Sequence, residues 1–151
     1  MQLYAGSAGQ FVRDTIQSQI SRKIETSFVE HFHRKPPPGE VRSWENSLAR
    51  MSNVMQHARL DDKDVGVILE YQLPLSSKRL DCMLTGTNAA NVANAVIVEL
   101  KQWDKVQPSN ITGCVVTYVA GRLRDVAHPS LQASQYAQYL EDCLILLIKF
   151  Y

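Results

Sequence analysis

No stretch of this chain is apolar enough to cross a membrane, and nothing at its start reads as a secretory leader. The longest apolar run, Leu144 to Ile148, falls far short of the roughly 20 residues a spanning helix needs. Met1 to Gly9 has neither a basic opening nor an apolar stretch of sufficient length. Cysteine is scarce: Cys82, Cys114 and Cys143 are odd in number, far apart and outside any CxxC. That argues against a disulfide framework or a zinc site and points to core thiols in a reducing, cytoplasmic setting. An excess of one charge is missing as well. Lys and Arg number 16 against 15 for Asp and Glu, giving a net charge of +1. No chain-wide basic field exists to gather nucleic acid, so any such binding needs a local patch. Internal repeats, low-complexity tracts and the phosphate-binding pattern GxxxxGK followed by Ser or Thr are also missing from the sequence.

What is present suits an ordinary globular domain: 151 residues, 45% hydrophobic and 21% charged. A chain of this size buries about 68–70% of its unfolded surface, enough for a proper core. Phe11, Thr15, Ile16, Ile20, Ile24 and Phe28 recur at three- and four-residue steps, predicting one helix from about Ala8 to His33. Ser7 and Gln10 have the spacing of a capping box. His31 and His33 do not share a helical face, so this basic end reads as solvated rather than metal-binding. Pro36-Pro37-Pro38-Gly39 must stop the helix and act as a stiff connector. Residues 1–40 are therefore an N-terminal helix and connector, and 41–151 the core.

A second helix is expected from Ser43, as N-cap, to about His57, with Trp44, Leu48, Met51 and Met55 facing inward. An acidic loop over Leu60 to Asp64 leads to strands at Val65–Tyr71, Lys78–Leu84, Ala95–Trp103 and Cys114–Ala120. Loops are expected at Thr85–Asn94 and around Pro108-Ser109-Asn110. His128-Pro129-Ser130 opens the last helix, Pro129 near its first position. This order predicts an α/β or α+β fold, a mixed central sheet flanked by helices.

Three groups of residues carry candidate chemistry. Glu99 and Lys101, at i and i+2 of an extended segment, share a face. If that segment pairs with the one carrying Asp81, two carboxylates lie beside an ammonium. Such a set can hold a hard divalent cation and keep a positive charge where a phosphate docks. Glu99 and Lys101 alone also fit a surface ion pair worth little. However, Val96-Ile97-Val98 is apolar on both faces, as in a covered central strand, and charges leaving such a strand suit a cleft. Gln132 and Tyr136, four apart on one helical face, can hydrogen-bond phosphate oxygens or position a lysine; an incidental half-exposed helix fits them too. Glu45, beside Trp44 in the first turn of its expected helix, looks either into a cleft or into water. His128 is equally a turn residue.

Together these pieces resemble the PD-(D/E)XK nuclease superfamily. Asp81 corresponds to the Asp of its second motif, Glu99 and Lys101 to its E-x-K, and Gln132 and Tyr136 to the Gln-x3-Tyr of its RecB-like exonuclease branch. Glu45 matches the acidic residue of the first core helix. Ser43-Trp44-Glu45-Asn46-Ser47-Leu48, Glu70-Tyr71-Gln72-Leu73-Pro74, Ser77-Lys78-Arg79-Leu80-Asp81, Ile97 to Trp103 and His128-Pro129-Ser130 look like the N-terminal domain of bacterial proteins that continue into a P-loop ATPase or helicase. The resemblance spans about residues 43–142. It implies a restriction-endonuclease-like core, a helix, three strands, a helix and a strand. It further implies a Mg²⁺- or Mn²⁺-dependent hydrolase acting on DNA in preference to RNA. Asp81, Glu99, the Leu100 carbonyl and Glu45 would be metal ligands and Lys101 the charge-stabilising group. Gln132 and Tyr136 would position Lys101 or the DNA backbone, with Arg79, Arg122, Arg124 and His128 near flanking phosphates. The alternative is a nuclease fold that no longer cuts and serves nucleic-acid binding or assembly. The apolar end, Cys143 to Tyr151, stops where the superfamily has another strand. It is expected to reflect a truncated domain, with an ATPase or helicase half missing, or a degenerate stand-alone copy, either leaving an apolar end that a second copy covers.

Overall fold

The structure, a computed structural model, describes residues 1–61 and 63–149, with backbone alone over 144–149. Asp62, in the expected acidic loop, and the side chains of 144–151, part of the apolar end expected to meet a second copy, lie outside the described residues. The chain is mixed α+β and divides into two compact units, Met1–Val98 and Glu99–Tyr151. No described helix is long and apolar enough to cross a membrane.

The first unit holds β1 (Tyr4–Ser7), α1 (Ala8–Ile16), α2 (Ile20–Phe32), α3 (Pro38–His57), β2 (Gly66–Gln72), β3 (Arg79–Thr87) and β4 (Ala93–Val98). Its sheet has the order β1-β2-β3-β4. Every neighbouring pair is antiparallel. The second unit holds β5 (Val106–Pro108), β6 (Cys114–Val119), β7 (Arg122–Ala127) and α4 (Pro129–Lys149), its sheet again antiparallel in the order β5-β6-β7. The single mixed sheet read from the sequence is thus replaced by two antiparallel sheets. The reason lies in the connections: a parallel pair needs a crossover of about a dozen residues or more, whereas short loops make hairpins. The shortest of these, Ala120-Gly121, has φ of 51° and 82° at its two positions. That is the primed turn whose twist suits a two-residue hairpin, and it creates β7, a strand not among those expected from the sequence.

The long N-terminal helix is two helices. Gln17-Ser18-Gln19 offers no apolar side chain, Ser18 takes a left-handed φ of 56°, and α1 closes with the Gln17 amide donating to the Arg13 carbonyl and the Ser18 amide to that of Thr15. The break keeps Phe11, Ile20, Ile24 and Phe28 buried while leaving Ile16 exposed. Ser7 caps α1 as its spacing from Gln10 predicts, its Oγ accepting from the Gln10 amide at 3.2 Å. The proline run both closes one helix region and opens the next. Pro38 stands at the start of α3, where its missing N–H costs nothing and its fixed φ helps. Ser43 therefore lies inside α3, and Glu40 rather than Glu45 is the first-turn acid. Helices α1, α2 and α3 pack on one another, and α1 also meets β1 and β2. Phe11, Ile24, Phe28, Met55, Val67, Leu69 and Leu80 fill this core.

A buried carboxylate ties the two N-terminal helices to β1. Asp14, 1% exposed, accepts from Gln10 Nε2 at 2.7 Å, Lys23 Nζ at 2.8 Å and the Tyr4 hydroxyl at 3.1 Å. Burial pushes its pKa up, but the bonds from Lys23, Gln10 and Tyr4 outweigh this and hold it below the ordinary 3.8. A depressed folded pKa gives stability that is complete above the unfolded value and lost as pH falls through the folded one. Asp14→Asn is expected to cost about 2 kcal/mol at pH 7. It should also flatten the acid limb of stability below about pH 4, read by urea denaturation across pH.

Candidate functional site

In the second unit, hydrogen bonds join the segment carrying Glu99 and Lys101 to the helix carrying Gln132 and Tyr136. Strand pairing stops at Cys82↔Val98, so Glu99, Leu100 and Lys101 follow β4 rather than continue it to Trp103 as expected. Lys101 Nζ lies 2.6 Å from Glu99 Oε1, with the Glu99 side chain 3% exposed and that of Lys101 26%. The same oxygen accepts from Gln132 Nε2 at 2.5 Å, a bond that spans 33 residues. Gln132 Nε2 also donates to the Tyr136 hydroxyl at 2.9 Å, using its one-turn spacing on α4. Tyr136 is itself buried. The Lys101 ammonium stands over the Trp103 ring, 6.0 Å from its centroid. One buried carboxylate is thus held by an ammonium and an amide, and the amide by a buried phenol.

The start of α4 is fixed locally. His128 Nδ1 accepts from the Ser130 amide at 3.1 Å, and the His128 amide donates to the Gly113 carbonyl at 2.8 Å. Gly113 has φ of 76°, and a Cβ there would come within 2.7 Å of Leu131 Cδ2. The positive φ favours glycine here, and its missing Cβ leaves room for the Leu131 side chain. His128 is accordingly a capping residue. Arg122 and Arg124 are exposed on β7, at an edge of the three-stranded sheet. They remain accessible to an anion.

In the first unit, Asp81 lies on β3 between the buried Leu80 and Cys82. Burial, then the Asp81 charge, pushes the Cys82 thiol up to about 12, so it is an inert core thiol. The register runs through Leu69↔Cys82 and Tyr71↔Leu80, which places Glu70 across from Asp81. Glu70 has a left-handed φ of 52° in mid-strand. Its carboxylate accepts from Trp44 Nε1 at 2.8 Å and pairs with Arg79 Nη1 at 3.2 Å. Burial drives its pKa up to about 7; Arg79 and Trp44 oppose this, while Asp81 and Glu40 add to it. Arg79 also pairs with Glu40 and lies over the Phe28 and Phe32 rings at 5.7 and 5.9 Å.

Two expectations change on this geometry. Arg79, expected to meet DNA phosphates, is committed to Glu40, Glu70 and two aromatic rings. Glu45 is exposed on α3, whereas Glu40, nearly one and a half turns earlier, reaches β3 through Arg79. Sequence reasoning gave Glu70 and Glu40 no role, although Glu70 is the one charged residue in Gly66–Gln72, a sign that it is held by partners.

Carboxylate and carbonyl oxygens, such as those of Asp81 in the first unit and of Glu99 and Leu100 in the second, are hard donors of the kind Mg²⁺ and Mn²⁺ take. Among the described residues no three His, Cys, Asp or Glu side chains form a group able to hold a metal ion. No family model, curated protein or solved structure matches this chain.

Proposed function

We propose that this chain is a metal-dependent nuclease of the PD-(D/E)XK type, of the RecB-like branch, hydrolysing phosphodiester bonds in DNA. The observation that carries the reading is the hydrogen bond from Gln132 to Glu99, which joins the E-x-K segment to the Gln-x3-Tyr helix. Two motifs far apart in the sequence converge on one buried carboxylate, an arrangement that a solvated surface ion pair does not require. The order α3, β2, β3, β4 agrees with the start of a restriction-endonuclease-like core.

Asp81 and Glu99, with the Leu100 carbonyl, would hold Mg²⁺ or Mn²⁺. A divalent cation supplies a more acidic bound water and neutralises phosphate charge. Lys101 donates to a phosphate oxygen as negative charge builds on it. Gln132 fixes the Glu99 carboxylate, and Tyr136 fixes Gln132. Water adds to phosphorus and the P–O3′ bond breaks, leaving a 5′-phosphate and a 3′-hydroxyl. Arg122 and Arg124 contact flanking phosphates, a sequence-independent role.

The test is cleavage of end-labelled single- and double-stranded DNA with Mg²⁺, Mn²⁺ or EDTA, with Asp81→Ala as control. Metal-dependent cutting by the wild type and none by the variant is expected. If neither folded protein cuts in any metal, the catalytic reading falls and a non-cutting nucleic-acid-binding module takes its place.

A further inference from the structure

We infer that Glu70 is a positioning residue for Asp81, fixing the setting in which that carboxylate meets a divalent cation; this rests on the nuclease reading above. Glu70 breaks three local rules at once. It is a non-glycine residue with a left-handed φ of 52° inside a strand, a conformation that persists only where the surroundings impose it. Its carboxylate is largely withdrawn from water, the side chain being 13% exposed. It also stands across the ladder from a second carboxylate, Asp81, whose negative charge acts on it. An apolar residue in the right-handed or extended region would serve the fold better on all three counts. Departures of this kind are expected at functional or strained positions.

The surroundings are built to hold Glu70 in place. Trp44 Nε1 takes one oxygen at 2.8 Å and Arg79 Nη1 the other at 3.2 Å. Arg79 is in turn fixed by Glu40 and by the rings of Phe28 and Phe32. Helices α2 and α3 therefore converge, through one guanidinium and one indole, on the residue facing Asp81. Groups surrounding a metal-binding carboxylate tune its affinity, here through the negative charge that Glu70 sets opposite Asp81, and loss of such groups typically weakens binding 10–100-fold.

The experiment uses the full chain at pH 8 and Mn²⁺ alone as probe, with free Mn²⁺ read by electron paramagnetic resonance. Glu70→Gln keeps an acceptor for Trp44 and removes the charge. It is expected to raise the Mn²⁺ Kd at least about 10-fold, while cleavage at saturating Mn²⁺ stays within about 2-fold. A residue with a structural role alone would not separate those two readouts. Asp81→Asn should abolish binding. If Asp81→Asn abolishes binding and Glu70→Gln binds as the wild type does, the role of Glu70 is overturned while the nuclease reading stands. If Asp81→Asn binds normally, or the wild type takes up no Mn²⁺, both fall together. Should Glu70→Gln lower the folded fraction, Trp44→Phe releases the same carboxylate with the core kept filled. A Kd unchanged in that variant overturns the inference.

Discussion

Lys101→Ala is expected to lower metal-dependent DNA cleavage by about 100-fold or more, with folding and Mn²⁺ uptake retained. Glu99 is held by two donors on one oxygen. Its Oε1 accepts from both Lys101 and Gln132, so removing the ammonium leaves the amide bond in place. The lysine side chain is 26% exposed, so its loss opens no core cavity. What disappears is a positive donor beside the carboxylate, placed before charge develops on the phosphate. A preorganised donor of this kind is worth about 100- to 1000-fold when it acts in the transition state. Lys101→Arg is not expected to restore the rate, because a planar fork does not reproduce a compact ammonium over the Trp103 ring. Single-turnover cleavage of labelled DNA, with folding followed by circular dichroism, checks both variants. Cleavage at the wild-type rate in Lys101→Ala removes Lys101 from the mechanism.

How much of this arrangement the sequence discloses depends on the range of the interaction. Local signals carry through: Ser7 caps α1, Pro129 opens α4, and Glu99 and Lys101, two apart, do contact each other. The pairing of Gln132 with Tyr136 was legible because a helix brings i and i+4 together whatever surrounds it. Three features were not legible, each for a physical reason. Apolar periodicity passes smoothly through Gln17-Ser18-Gln19, since the break depends on backbone capping and a left-handed serine rather than on hydropathy. The proline run marks an end equally well whether it stops one helix or starts another, so the first turn of α3 and Glu40 were misplaced. Finally, the partners of Glu70, Trp44 and Arg79, stand 26 residues before and 9 after it, at spacings that no local periodicity links. A charge in an apolar strand reveals that partners exist but does not say which ones.

Between pH 4.5 and about 7 the folded state is expected to lose about 3 kcal/mol of stability through Glu70 alone. Its pKa rises from an ordinary 4.5 to about 7 on folding, burial being the main cause. Below 4.5 the carboxyl is protonated in both states and exacts no penalty. As pH rises the unfolded chain releases the proton freely, while the folded one must ionise a withdrawn carboxyl that already faces Asp81 and Glu40. Stability therefore falls through this window and levels off above the folded pKa. Asp14 has the opposite sign and acts at lower pH, since three donors favour its charged form. Urea denaturation of the wild type and Glu70→Gln at pH 4.5, 6 and 8 separates the effects. The neutral amide mimics the protonated acid, so the two proteins should match at pH 4.5. Glu70→Gln should be more stable by about 3 kcal/mol at pH 8. A difference that does not change with pH would show that Glu70 ionises as easily folded as unfolded. The two buried carboxylates of the first unit make the contrast physical. Asp14 gathers donors enough to be stable as an anion, whereas Glu70 has two partners and two like-charged neighbours. A protein that keeps such a group at neutral pH carries a cost to its fold that the charge beside Asp81 has to justify.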